Sequence, residues 1–202
     1  CDIGNAYSDL GKPGGAYTYT VTPVPAYPFA VYPSKASLSM SEVRKAIQHY
    51  EKALAIAQEI GDRLNEGIYL GNLGLAYADL GKMRKAIQTQ ERALAIAREI
   101  GDRRMEVNAL TRLGYAYERL GSTIWRRGET RKAVENYTQA LAINRETGNQ
   151  REEGHVLMNL GKAYKRLGDL PQARACWEQA LAIFQAINDP NASRVQGWLG
   201  LI

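Results

Sequence analysis

Two histidines and two cysteines, His49, His155, Cys1 and Cys176, are the residues of this 202-residue chain best suited to nucleophilic or soft-metal chemistry. Neither histidine has a cysteine or carboxylate constellation around it at metal-ligand spacing. No G-x-S-x-G, H-E-x-x-H, C-x-x-C or Walker-type phosphate loop occurs, and "KPGG" at 12–15 reads as a turn. The residues therefore give no reason to expect a catalytic group, a metal or a cofactor, and the expectation is a non-enzyme. What does recur is a set of amide and cationic side chains at fixed offsets from a repeated pair. Two places before a glycine stand Asn72, Arg112 and Asn159, and one place after it stand Leu75, Tyr115 and Lys162.

Those residues need elements to hold them, and the sequence supplies the elements as repeats. "ALAI" begins at 53, 93, 140 and 180, and "GDR" at 61 and 101. Leu-Gly followed by an aromatic three places on occurs at Leu73-Gly74, Leu113-Gly114 and Leu160-Gly161, with a partial copy at Ile3-Gly4 and another beginning at Leu199-Gly200. Leu70, Leu73, Gly74 and Tyr77 form one helical stripe, and Ala86, Ala93, Leu94 and Ala97 a second. The "LGK" at 80–82 and the "IGD" at 60–62 and 100–102 read as helix stops, with Asp62 and Asp102 placed to cap the next helix. Each unit is then a pair of antiparallel helices that cannot bury its apolar stripe alone, so the pairs stack. Mid-helix glycine costs about 1 kcal/mol against alanine. Gly74, Gly114 and Gly161 make sense if a neighbouring helix approaches closely there.

The order Leu113-Gly114-Tyr117-Ala133-Tyr137-Ala140, repeated as Leu160-Gly161-Tyr164-Ala173-Trp177-Ala180, resembles the tetratricopeptide repeat. The second repeat departs from it by placing Gln90 where the aromatic belongs. The forty-residue period resembles the long-helix variety of kinesin light chains, spindle-orientation adaptors and prokaryotic multidomain signalling proteins. HEAT pairs have a similar period but not this motif. The resemblance implies an all-α, right-handed α-solenoid. We expect one solenoid over 1–202: repeat 1 at 1–62 with an insertion at 12–41, repeat 2 at 63–102, repeat 3 at 103–149 with an insertion at 122–128, repeat 4 at 150–189, and the start of a further repeat at 190–202. The chain begins at Cys1 inside a repeat, which suggests a piece of something longer.

Both insertions fall at the seam after the Leu-Gly that ends a first helix. The longer holds five of the seven prolines and four tyrosines with no acidic residue, and is expected to be a non-helical surface loop, with a docking arm as the alternative. The shorter, "STIWRRG", has the length of two helical turns. Its Trp125, Arg126 and Arg127 have the composition of a secondary contact.

The resemblance also implies that first helices line a concave face and contact a peptide there. On that reading the groove residues are Asn72, Leu75, Asn108, Arg112, Tyr115, Arg119, His155, Asn159, Lys162, Lys165 and Arg166. Asn72 and Asn159 match the asparagine that binds ligand backbone in the adaptor branch, and Arg112 does not. The groove is apolar near repeat two and basic near repeats three and four, which suits an acidic protein or peptide partner. The net charge is +5, and residues 101–147 hold nine basic against six acidic side chains, too mild an excess to expect nucleic acid. No apolar run approaches the roughly 18 residues of a membrane span. Two cysteines far apart suggest a reducing, cytoplasmic setting. The alternative to a peptide scaffold is a structural spacer or self-associating segment of a larger signalling protein.

Overall fold

The computed structural model describes residues 39–124 and 127–201, with the backbone alone at 122–124. Helix stops set its period. Gly61, Gly81, Gly101, Gly148 and Gly168 all sit at positive φ, between 67° and 85°, where a side chain is strained and glycine is not. At three of these turns the next residue caps the following first helix. Asp62 Oδ1 accepts from the Asn65 amide at 3.0 Å, Asp102 Oδ1 from the Met105 amide at 2.8 Å, and Asn149 Oδ1 from the Glu152 amide at 3.4 Å.

Among the described residues eight helices result: α1 Met40–Glu59, α2 Arg63–Asp79, α3 Met83–Glu99, α4 Arg103–Ile124, α5 Arg127–Thr147, α6 Gln150–Leu167, α7 Leu170–Ala186 and α8 Asn191–Leu199. No strand occurs among the described residues. Each helix packs on its neighbours in sequence, and the first helices α2, α4 and α6 also touch one another in turn. The second helices make no comparable mutual contact, so the stack closes toward the first helices and their outer face is the concave one. The fold is the expected all-α solenoid of antiparallel pairs.

Within each pair the mid-helix glycine seats the large side chain of the second helix. A Cβ on Gly114 would lie 2.5 Å from the Tyr137 ring, and one on Gly74 or Gly161 would fall closer still to Gln90 or Trp177. Gln90 is thereby explained. Its Nε2 donates to the Gly71 carbonyl at 2.7 Å, as the Trp177 indole Nε1 donates to the Met158 carbonyl at 3.1 Å. Both carbonyls lie three residues before the seating glycine, so Gln90 fills the aromatic's place and makes the tryptophan's bond.

Polar ladders fix the register between repeats. Tyr77 Oη donates to Glu51 at 2.8 Å and Tyr117 Oη to Glu91 at 3.1 Å, forty residues on. Gln58, Arg98 and Arg145 reach forward to Glu66, Glu106 and Glu153 at 2.8–2.9 Å. Arg63 clamps Glu66 and Glu99, and Arg103 clamps Glu106 and Glu146. The arginines are solvent-exposed, so water and salt screen each such pair and it adds little to stability. Their value lies in specifying which turn meets which.

Two expected boundaries move. Leu120-Gly121 does not end α4, which continues to Ile124, and α5 opens at Arg127, earlier than its counterpart α3 does in register. With seven more residues before the partner core begins, the chain keeps extending the helical hydrogen-bond ladder rather than turning at once. The short insertion therefore lengthens both helices. At the other seam α1 opens at Met40, within the expected insertion 12–41 and three residues earlier in register than α3. Ser39 Oγ accepts from the Glu42 amide at 3.3 Å and Glu42 Oε2 accepts from the Ser39 amide at 2.5 Å, a capping box that starts α1 at Met40. The rest of that insertion and the partial repeat at Ile3-Gly4 lie outside the described residues.

Candidate peptide-binding groove

The groove residues fall on three parallel stripes because each set is spaced by three or four on its helix. On α2 the stripe is Ile68, Asn72 and Leu75, with the exposed Leu64 one turn before. On α4 it is Asn108, Arg112, Tyr115 and Arg119, and on α6 it is His155, Asn159, Lys162 and Arg166. Since α2, α4 and α6 touch in turn, the stripes lie side by side.

Their environments differ. Asn72, Leu75, Asn108, Arg112, Tyr115, Asn159 and Lys162 are half-buried, while Arg119, Lys165 and Arg166 are exposed. The Arg119 guanidinium donates to the Tyr115 hydroxyl at 3.1 Å and lies over that ring. His155 is buried, its ring edge-on to Phe184 at 5.2 Å, and burial pulls its pKa below the usual histidine value. It reads as a packed core residue at the rim of the groove. Lys165 stands apart, its Nζ 5.8 Å over Trp177 of α7. Trp125 and Arg126 lie outside the described residues, and Arg127 is exposed at the start of α5.

Glu118 organises the basic end. It is buried on α4, and its carboxylate pairs with Arg166 Nε at 2.9 Å and accepts from the Tyr137 hydroxyl at 3.4 Å. Burial raises its pKa, against the opposing pull of Arg166 and Lys162. Lys162 responds in the mirror sense. Burial lowers its pKa, Glu118 raises it, and Arg194 and Arg166 lower it further. The Lys162 ammonium also donates to Asn159 Oδ1 at 3.2 Å and sits 4.8 Å over the Trp198 ring. Two cations, Lys162 and Arg166, thus act on one buried carboxylate, and the exposed Arg194 of α8 adds its field at Lys162.

Arg194 and Trp198 of α8 were not foreseen as groove residues. The signal for Trp198 was in the sequence, since it stands two places before Gly200, the offset of Asn72, Arg112 and Asn159. Among the described residues no group of three His, Cys, Asp or Glu side chains could hold a metal ion, and no helix is long and apolar enough to cross a membrane.

The stripes of the candidate groove therefore grade from apolar on α2 to cationic on α6, with amides interspersed. Comparison with curated proteins gives no match. Among solved structures, BtubC (BKLC) from P. vanneervenii is 23% identical, with 79% of this chain and 65% of that one covered at a TM-score of 0.64. A putative kinesin light chain repeat protein from Podosopora anserina is 21% identical, covering 79% and 76% at 0.65. A Rap protein complexed with competence and sporulation factor is 19% identical, covering 79% and 43% at 0.63. The chain thus spans less than two thirds of BtubC and under half of the Rap protein. These likenesses concern the fold. The family profile described as tetratricopeptide repeat matches residues 38–99 and 112–186, more than half of the sequence, and the chain belongs to the tetratricopeptide repeat family.

Proposed function

We propose that the chain is a protein-interaction scaffold whose concave face holds a peptide segment, of a partner or of its own chain, that is apolar where it meets α2 and acidic where it meets α6. The observation that carries the reading is the cluster in which Arg166 pairs with the single buried carboxylate of Glu118, Lys162 acts on the same carboxylate, and Arg194 adds a further positive field at Lys162. Such a cluster keeps an excess of positive charge in a partly desolvated recess, where an added carboxylate interacts more strongly than on an open surface. Asn72 on the α2 stripe and Asn159 on the α6 stripe, both half-buried, take the role of hydrogen-bonding the peptide backbone in this reading. A Rap protein of similar fold is complexed with competence and sporulation factor, which is a property of that protein and supports a partner-binding role for a solenoid of this kind.

The test uses a fluorescent oligoglutamate peptide, extended with leucines at one end, and anisotropy at several salt concentrations. Lys162→Glu with Arg166→Glu is expected to weaken binding strongly at low salt and less as salt screens the charge. Asn159→Ala is expected to cost about 0.5–1.5 kcal/mol with little salt dependence. Circular dichroism checks the fold, because the reversal at position 166 strands Glu118. Arg174→Glu, on the exposed side of α7, is the control. An equal loss at Arg174 would mean bulk charge, and would favour the structural-spacer reading.

A further inference from the structure

The two edges of the stack differ in charge. At the edge where second helices end and first helices begin, the arginines are paired. Arg63, Arg98, Arg103, Arg145 and Arg151 each meet a carboxylate. At the opposite edge, where second helices begin, the doublets Arg44-Lys45, Arg84-Lys85 and Arg131-Lys132 stand directly before the aligned Ala46, Ala86 and Ala133. All of these cations are exposed. Because α1, α3 and α5 run in the same direction through the stack, the doublets form one row along this edge. In α7 the same places hold Pro171 and Gln172, so the row ends with the third repeat. Folding does not account for it. Arg44, Arg84 and Arg131 make no ion pair among the described residues, and Lys132 has only a long one, 3.8 Å to Glu129. At α3 the charges oppose the helix's own field, since its N-cap Lys82 makes no side-chain cap bond and its first turn holds no acidic residue. Two large apolar side chains share the edge. Met40, 59% exposed, opens α1, and Leu170, 45% exposed, opens α7, at the two ends of the row.

We infer that this edge is a docking surface for an anionic lipid bilayer, separate from the concave groove. Cations that meet charged headgroups, beside apolar side chains that reach below them, are the composition of a surface that lies on such a bilayer. The long apolar stems of arginine and lysine suit the same boundary. A nucleic acid fits less well. The rings of Tyr77 and Tyr117 lie under Lys85 and Lys132, 5.3 and 5.2 Å from the ammonium groups, and their hydroxyls are bonded to Glu51 and Glu91. Neither ring is therefore presented to a base for stacking. An acidic protein segment gains more from the recess around Lys162 than from an open row, where water and salt screen each contact.

Co-sedimentation of the full chain with vesicles tests it. The chain is expected to pellet with vesicles of phosphatidylcholine and phosphatidylserine in equal parts, and to stay in solution with phosphatidylcholine alone. Arg84→Glu with Arg131→Glu reverses two exposed cations that hold no ion-pair partner among the described residues. Circular dichroism should therefore be unchanged, while partition to the mixed vesicles falls at least about tenfold. Lys52→Glu with Arg104→Glu makes the same change in net charge off the row, two turns further along α1 and at the opposite edge, and should keep most of the binding. A chain that does not pellet with the mixed vesicles would overturn the inference, and if it then bound a mixed-sequence DNA duplex the edge would belong to nucleic acid. Undiminished pelleting of the Arg84→Glu, Arg131→Glu chain would overturn it too. So would an equal loss in the two double variants, which would mean that bulk charge alone is being read.

Discussion

Replacing Gly161 with alanine tests the packing logic of the whole array, because two effects of opposite sign compete at one atom. In an exposed helix the change stabilises by up to about 1 kcal/mol through backbone propensity. Here the new Cβ would overlap the Trp177 pyrrole edge, well inside the 3.4–4 Å of ordinary contact. Trp177 is 1% exposed and its Nε1 is bonded to the Met158 carbonyl, so the ring has little room to retreat. Overpacking of this kind costs about 1–3 kcal/mol, and displacing the indole adds about 1 kcal/mol for the lost hydrogen bond. The net expectation is a destabilisation of about 1–3 kcal/mol, read by urea unfolding followed by far-UV circular dichroism. Gly114→Ala, against the rigid Tyr137 ring, should behave alike, and Gly114→Leu should be worse. Gly74→Ala should cost less, because Gln90 is a flexible chain. Gly197→Ala faces open space and should be neutral or slightly stabilising. A Gly161→Ala protein as stable as the parent would refute the close-approach argument, and equal effects at 161 and 197 would show that propensity alone is being measured.

Glu152 gives a pH test. Burial raises its pKa to about 7 in the folded chain, against an ordinary 4.5, despite the opposing fields of Arg151 and Arg104. The folded state therefore holds this proton more tightly than the unfolded chain, so the stabilisation from its protonation is present below pH 4.5 and is lost as pH rises toward 7. Glu152→Gln should gain on the parent in thermal stability over that window and keep a constant advantage above it; a constant difference across pH 4–8 would contradict the shift. Asp102→Ala removes the cap of α4 and should cost about 0.5–2 kcal/mol in the same unfolding assay. No loss would mean that water caps this helix equally well.

Much of this molecule was legible in the sequence because its information is local and repeated. Gly61, Gly81 and Gly101 end helices through their own backbone freedom, and Asp62 and Asp102 cap through bonds three residues away. The spacing of Leu-Gly and ALAI then dictates which faces must be buried, whatever lies around them. Where a local signal competed with length it misled. Leu120-Gly121 looks like every other stop, yet α4 runs through it, because a glycine permits a turn and does not impose one. The groove was legible only in outline. Sequence placed Arg112, Asn159, Lys162 and Arg166 on the first helices, since periodicity fixes the face of a helix. It did not show that Glu118 is buried among Arg166, Lys162 and Tyr137, that His155 packs on Phe184, or that Trp198 lies under the Lys162 ammonium. These contacts join residues 19 to 48 positions apart on different helices. They depend on how far each pair is rotated on the last, and that angle is set by summed packing across the stack rather than by any one residue.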